Sequence, residues 1–166
     1  MKLTIITPCS RPENLQAMAE SIKPGRSLFD VIWVVILDNH ECVESRSGNY
    51  QRNCALDAIT DGWVYFLDDD TIIHPDLFVE LTKIITPAVA FEQDLGVMVR
   101  KVMPSEMKVC HIDMGQVAIR REVIGDIRFE LGIYEADGIF IQSVYESDPS
   151  VWSFVNKPIS YYNKLR

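Results

Sequence analysis

The stretch VYFLDDDTIIHPDLF, Val64 to Phe78, sets three carboxylates in a row, Asp68, Asp69 and Asp70, directly after an apolar and aromatic run. Adjacent carboxylates repel one another unless a cation or a set of donors offsets them. Hard divalent cations take oxygen ligands, and Mg²⁺ or Mn²⁺ is commonly held by one or two carboxylates with substrate phosphates completing the shell. In an extended segment residues i and i+2 share a direction, so Asp68 and Asp70 would face a ligand together while Asp69 points elsewhere. The plainer alternative is a solvated acidic turn capping the helix that opens near Pro75, because negative charge favours helix N-termini.

The surrounding elements decide where such a triplet would lie. KLTIIT reads as a buried strand, and SRPENLQAMAESI as a helix whose Ser10 and Glu13 have capping-box spacing. VIWVVILD is a continuous apolar run, as in a strand covered on both faces. A polar stretch follows, then the helix YQRNCALDAI, the strand WVYFLD, the helix PDLFVELTKII and a strand LGVMVRKVM. After Pro104 the pattern loosens into a strand Gln116 to Ile119, a short helix, a helix from YEADGIFIQSVYE and one or two final strands. Strands alternating with helices predict a mostly parallel mixed α/β sheet, and ligands in such sheets bind beyond the carboxyl ends of the strands. Thr7 to Arg11, Leu37 to Asn39 and Leu67 to Asp70 then gather on one edge.

The 166 residues suffice for a single domain with one core, read as residues 1–166 with a first half 1–103 and a second half 104–166. The net charge of −8 without a Lys/Arg cluster argues against a nucleic-acid partner, while a few local arginines and a metal can still hold a phosphate-bearing ligand. No apolar run approaches a membrane span, and the start lacks a signal-peptide pattern, so the expected location is cytoplasmic. The four cysteines show no C-x-x-C spacing and read as reduced thiols. His74 reads as a helix cap rather than a ligand.

The ordered set TPCSRP, VVILDN, YQRNCAL and GWVYFLDDDTIIHPDLF resembles the nucleotide-sugar half of GT-A fold glycosyltransferases, most of all the family-2 enzymes and the inverting glucuronyltransferases. The resemblance runs from Lys2 to Phe78; HIDMGQVAI and YEADGIFI carry looser similarity to an acceptor-side segment and to an acidic catalytic segment. It implies a three-layer α/β/α sandwich. It also implies transfer of a sugar, with inversion, from a UDP-, GDP- or dTDP-linked donor to a glycan or other hydroxyl acceptor, with Mn²⁺ or Mg²⁺ as cofactor.

Carried over residue by residue, the resemblance implies that Thr7, Pro8 and Arg11 line the nucleotide and Asp38 bonds the base. Arg46 and Arg52 would approach ribose or diphosphate, with Asp68 and Asp69 beside the donor. Asp70, with Asp68, would ligate the metal. Asp113 and His111 would meet the acceptor, and Asp137 would be the general base with Glu135 in reserve. An acceptor hydroxyl is a poor nucleophile, so a carboxylate must take its proton as attack proceeds.

Departures from the family pattern leave acceptor recognition least defined. No Q-x-x-R-W segment is present, which argues against processive synthesis, and acceptor contacts could come from a partner chain or a homo-oligomer. Two other functions compete: a non-catalytic nucleotide- or sugar-binding subunit, and a nucleotidyltransferase. The second normally needs a glycine-rich first loop, and TPCSRPEN has no glycine.

Overall fold

The computed structural model describes residues 1–37 and 48–166. Strand β1 (Lys2–Cys9) leads through a 3₁₀ turn into α1 (Leu15–Ile22) and then β2 (Asp30–Leu37). Helix α2 (Asn49–Ala58), β3 (Trp63–Phe66), β4 (Ile72–Ile73) and α3 (Asp76–Leu81) follow. Then come β5 (Ala88–Asp94), β6 (Val99–Arg100), β7 (Val117–Arg120), α4 (Arg121–Ile124), α5 (Ala136–Ser147) and β8 (Trp152–Tyr161).

The strands form one sheet in the order β2-β1-β3-β7-β5-β8-β4, with β6 paired to β5. Strands β2, β1, β3, β5 and β8 run one way, and β7, β4 and β6 run against them. The predicted mostly parallel mixed sheet is therefore present. Because β7 lies between β3 and β5, the two halves of the chain share one sheet.

Period-two alternation builds a core on each face. Leu3, Ile5, Trp63, Tyr65, Val89 and Phe91 pack with Met18 and Ile22 of α1 and Leu77, Phe78 and Leu81 of α3. Ile6, Val64, Phe66, Ala88 and Ala90 pack with Leu56 of α2 and Phe140, Ile141 and Val144 of α5. Helices on both faces make the three layers α/β/α.

Three local expectations are corrected. The strand beside β8 is AVAFEQD, not LGVMVRKVM. Gly96, at φ +81°, turns the chain into a hairpin whose tip leaves Val97 94 % and Met98 62 % exposed, and only Val99–Arg100 returns to pair. VIWVVILD, the edge strand among the described residues, is covered only in part: Val31 and Trp33 meet one core and Val34 and Ile36 the other, while Ile32 and Leu37 are exposed. The capping box at Ser10 and Glu13 does not form, because Ser10 is engaged elsewhere.

Candidate active site

The carboxyl end of β1 is fastened to the aspartate triplet through Asp69. One Asp69 oxygen accepts from the Ser10 amide (2.6 Å), the Ser10 hydroxyl (2.9 Å) and the Arg11 amide (2.7 Å), while the other accepts from Arg11 Nη1 (2.6 Å). The same Arg11 nitrogen donates to Asp70 (2.9 Å). The Thr71 amide donates to the Asp68 carbonyl, so the triplet lies in a turn rather than an extended segment. The expected sharing of direction by Asp68 and Asp70 fails for that reason. Asp69 and Asp70 share Arg11, and Asp68 takes a different partner.

That partner is Arg52 of α2, almost fully buried, whose Nη2 donates to Asp68 at 2.6 Å. Arg52 Nη1 donates to the Asn49 side chain (3.0 Å) and lies 3.4 Å from Asp137. Its guanidinium also sits over Phe129, which stacks on Phe140 at 4.0 Å. Burial works against the Arg52 charge, and Asp68 and Asp137 more than offset it, so its pKa rises.

Helix α2 also positions the segment that carries the candidate base. Asn53 exchanges two bonds with the Phe129 backbone, each 2.9 Å, and Asn49 donates to the carbonyls of Glu130 and Ile133. Gly48, at φ +72°, lets the start of α2 approach β1, since a Cβ there would fall 2.5 Å from Pro8 Cβ. Gly138 brings the first turn of α5 against the backbone of Val109 in the same way.

Asp137 lies in the first turn of α5, with its side chain one-third exposed. Burial pushes its pKa up to about 6; Arg52 pulls it down, and the charges of Asp68 and Asp113 push it up again. Asp113 caps a 3₁₀ turn, taking the Gly115 amide (2.9 Å) and Gln93 Nε2 (3.0 Å) on one oxygen. Its other oxygen lies 3.4 Å from Arg100, delivered by β6. Burial, then the charge of Asp68, raises the Asp113 pKa.

These groups surround one cavity of about 430 Å³. Of the residues expected from the sequence, Pro8, Arg11, Arg52, Asp68, Asp69, Asp70, Asp113, Glu135 and Asp137 line it. Thr7 does not: it is fully buried, and its hydroxyl accepts a bond from Trp33 Nε1 (2.9 Å). His111 does not either, because it turns to the surface and pairs with Glu106 at 2.7 Å. Asp38 and Arg46 lie outside the described residues. The N-cap of α3 is Pro75 rather than His74, whose Nδ1 instead accepts from the Asp76 amide (3.1 Å) from one residue further out.

Sequence reasoning missed Arg100, Tyr134, Asn163 and Arg166 as lining residues. The D-L-G turn signal with a valine and an arginine just beyond it marks the hairpin that delivers Arg100. The last residues fold back over the triplet. The Leu165 amide donates to the Asp70 carbonyl (2.9 Å), and Arg166 Nε lies 3.5 Å from the Asp70 carboxylate. The Asn163 amide, oriented so that both its ends are satisfied, donates to both Asp70 oxygens at 3.0 and 3.2 Å.

The donor set suits a hard cation only in part. Among the described residues no three His, Cys, Asp or Glu side chains are grouped to hold an ion. Asp68 and Asp70 each meet an arginine, Arg52 and Arg11, so an ion beside either would need substrate phosphates to complete its shell.

No protein-family model and no curated protein matches the sequence. Solved structures do match. Residues 1–349 of S. aureus TarS superpose with a TM-score of 0.74 at 17 % identity, over 97 % of this chain and 60 % of that one. The fold is that of the GT-A glycosyltransferases. The same TarS fragment in complex with UDP-GlcNAc gives a TM-score of 0.72 at 16 % identity, covering 97 % and 58 %. A glycosyltransferase involved in glycosylation of the major capsid of PBCV-1 gives 0.54 at 12 % identity, covering 97 % and 92 %. The chain thus spans about three-fifths of the TarS fragment. No helix among the described residues is long and apolar enough to cross a membrane.

Proposed function

We propose that this chain transfers a sugar from a nucleotide-diphosphate donor to an acceptor hydroxyl, with inversion and with a divalent cation. The observation that carries the reading is the buried Arg52, which joins Asp68 at the strand end to Asp137 across the cavity. The GT-A fold and the UDP-GlcNAc complex of a structural neighbour support a nucleotide-sugar donor.

In this reading Pro8, Arg11 and Arg52 line the donor, and Asp70, with Asp68, would hold Mn²⁺ or Mg²⁺. The ion, when bound, neutralises charge that grows on the leaving diphosphate. Arg11 and Arg166, both beside Asp70, supply further donors there. Asp137 accepts the acceptor hydroxyl proton, and its raised pKa makes it a competent base near neutrality. Glu135, exposed at the N-cap of α5, is the reserve. One carboxylate opposite the leaving group gives a single displacement, hence inversion.

The test is proton NMR of UDP-, GDP- and dTDP-linked sugars incubated with Mn²⁺ and protein. Donor consumption that first releases the inverted anomer, and that Asp137→Asn abolishes, is expected. Consumption unchanged in Asp137→Asn would remove the assigned base. Nucleotide binding without turnover in any acceptor mixture would favour a non-catalytic binding subunit.

A further inference from the structure

The cavity carries one feature that donor binding and proton transfer leave unused. Tyr134, three residues before Asp137, lines the cavity and is 88 % exposed. Large aromatic side chains normally bury their rings or use them in recognition. The loop under Tyr134 is not slack, because Asn49 donates to the carbonyls of Glu130 and Ile133 on its N-terminal side, and α5 begins at Ala136. The ring is therefore presented on a fastened backbone beside the candidate base.

Polar groups on the same cavity complement that ring. Asp113 offers acceptor oxygen, and Arg100 offers guanidinium N–H groups while bonded to Gln93 Oε1 (2.9 Å) and lying over Tyr162. An apolar ring face on the same cavity as a fixed carboxylate and a fixed guanidinium matches a pyranose, which has one C–H face and a rim of hydroxyls. Glu135 and Asp137 follow Tyr134 closely in sequence and Asp113 pairs with Arg100, which disfavours beside them an acceptor bearing its own carboxylate or phosphate; Arg11 and Arg166, beside Asp70, answer the donor diphosphate instead.

We infer that Tyr134 is the stacking platform of an acceptor subsite for a neutral sugar, with Asp113 and Arg100 reading its hydroxyls. This deepens the transfer reading and rests on it for the word acceptor; sugar binding itself is measurable without transfer.

Saturation-transfer difference NMR with the methyl glycosides of glucose, galactose, mannose and N-acetylglucosamine tests it, with UDP as a separate probe. At least one neutral glycoside is expected to receive saturation, strongest on the ring C–H protons of one face. Tyr134→Ala should reduce that signal at least fivefold, Tyr134→Phe should keep it, and UDP signals should be unchanged in both. Glycoside signals equal in wild type and Tyr134→Ala, or absent for every glycoside, would overturn the subsite. Stronger signals from glucose 6-phosphate or methyl glucuronide than from the neutral glycosides would overturn the neutral class. Absence of UDP signals in the wild type would strike only a uridine-linked donor, since the glycoside signals decide the subsite by themselves.

Discussion

Arg52 stands 3.4 Å from Asp137 and 2.6 Å from Asp68, so one buried cation touches both the strand-end aspartate and the candidate base. The two carboxylates come from elements far apart in sequence, and a third, Asp113, adds its charge to the same region. Several measurable consequences follow from that shared charge.

The first concerns pH. The Asp137 carboxyl is pushed up to about 6, and its function as a base requires the ionised form. Donor turnover is expected to rise with pH through about 6 and level off above it. Stability has the opposite slope. The folded state holds this proton more tightly than an unfolded Asp at 3.8, so the group's contribution falls as pH rises from about 3.8 to 6. Asp137→Asn should remove that slope in denaturant titrations while abolishing turnover.

Arg52 lowers the Asp137 pKa by its charge, so Arg52→Met is expected to move the Asp137 titration above that of the wild type. Carboxyl ¹³C shifts of labelled aspartate read this without relying on activity. Loss of the cation also leaves Asp68 and Asp137 without it, at a cost of about 3–5 kcal/mol in unfolding free energy.

Asp69 and Asp70 are adjacent but should fail differently. Asp69→Ala strands the Ser10 and Arg11 amides and leaves the Arg11 guanidinium with Asp70 alone. The expected loss is about 3 kcal/mol or more, seen as a lower Tm. Asp70→Asn keeps an acceptor oxygen for Arg11 and should stay folded while losing affinity for Mn²⁺ in the presence of nucleotide.

Thr7 gives a contrasting control. Its hydroxyl serves Trp33 inside the fold rather than the cavity, so Thr7→Val should cost about 1 kcal/mol of stability and leave nucleotide affinity unchanged.

The sequence made the frame legible where periodicity was clean. β1, β3, α2 and α5 stand where alternation or helical spacing put them, and the strand ends do bring Pro8, Arg11 and Asp68–Asp70 together. Three things were hidden. AVAFEQD follows Pro87, a boundary signal, but was overshadowed by the more apolar LGVMVRKVM, although only the former finds neighbours on both sides. VIWVVILD has the composition of an inner strand, yet its position beyond β1 makes it an edge among the described residues. Within the triplet, the i and i+2 rule presumes extended backbone, and the turn at Asp68–Thr71 removes that premise. His111 and Asp113 look equivalent in sequence; the capping of Gly115 draws Asp113 inward, while Glu106 holds His111 at the surface.

The central claim is most directly tested by calorimetry of UDP, GDP and dTDP, each with and without Mn²⁺, on the wild type and on Asp70→Asn. The account predicts that one nucleotide binds tightly only with Mn²⁺ present, and that Asp70→Asn loses this metal-dependent part. Binding that ignores both Mn²⁺ and Asp70, or no binding by any of the nucleotides, would contradict it.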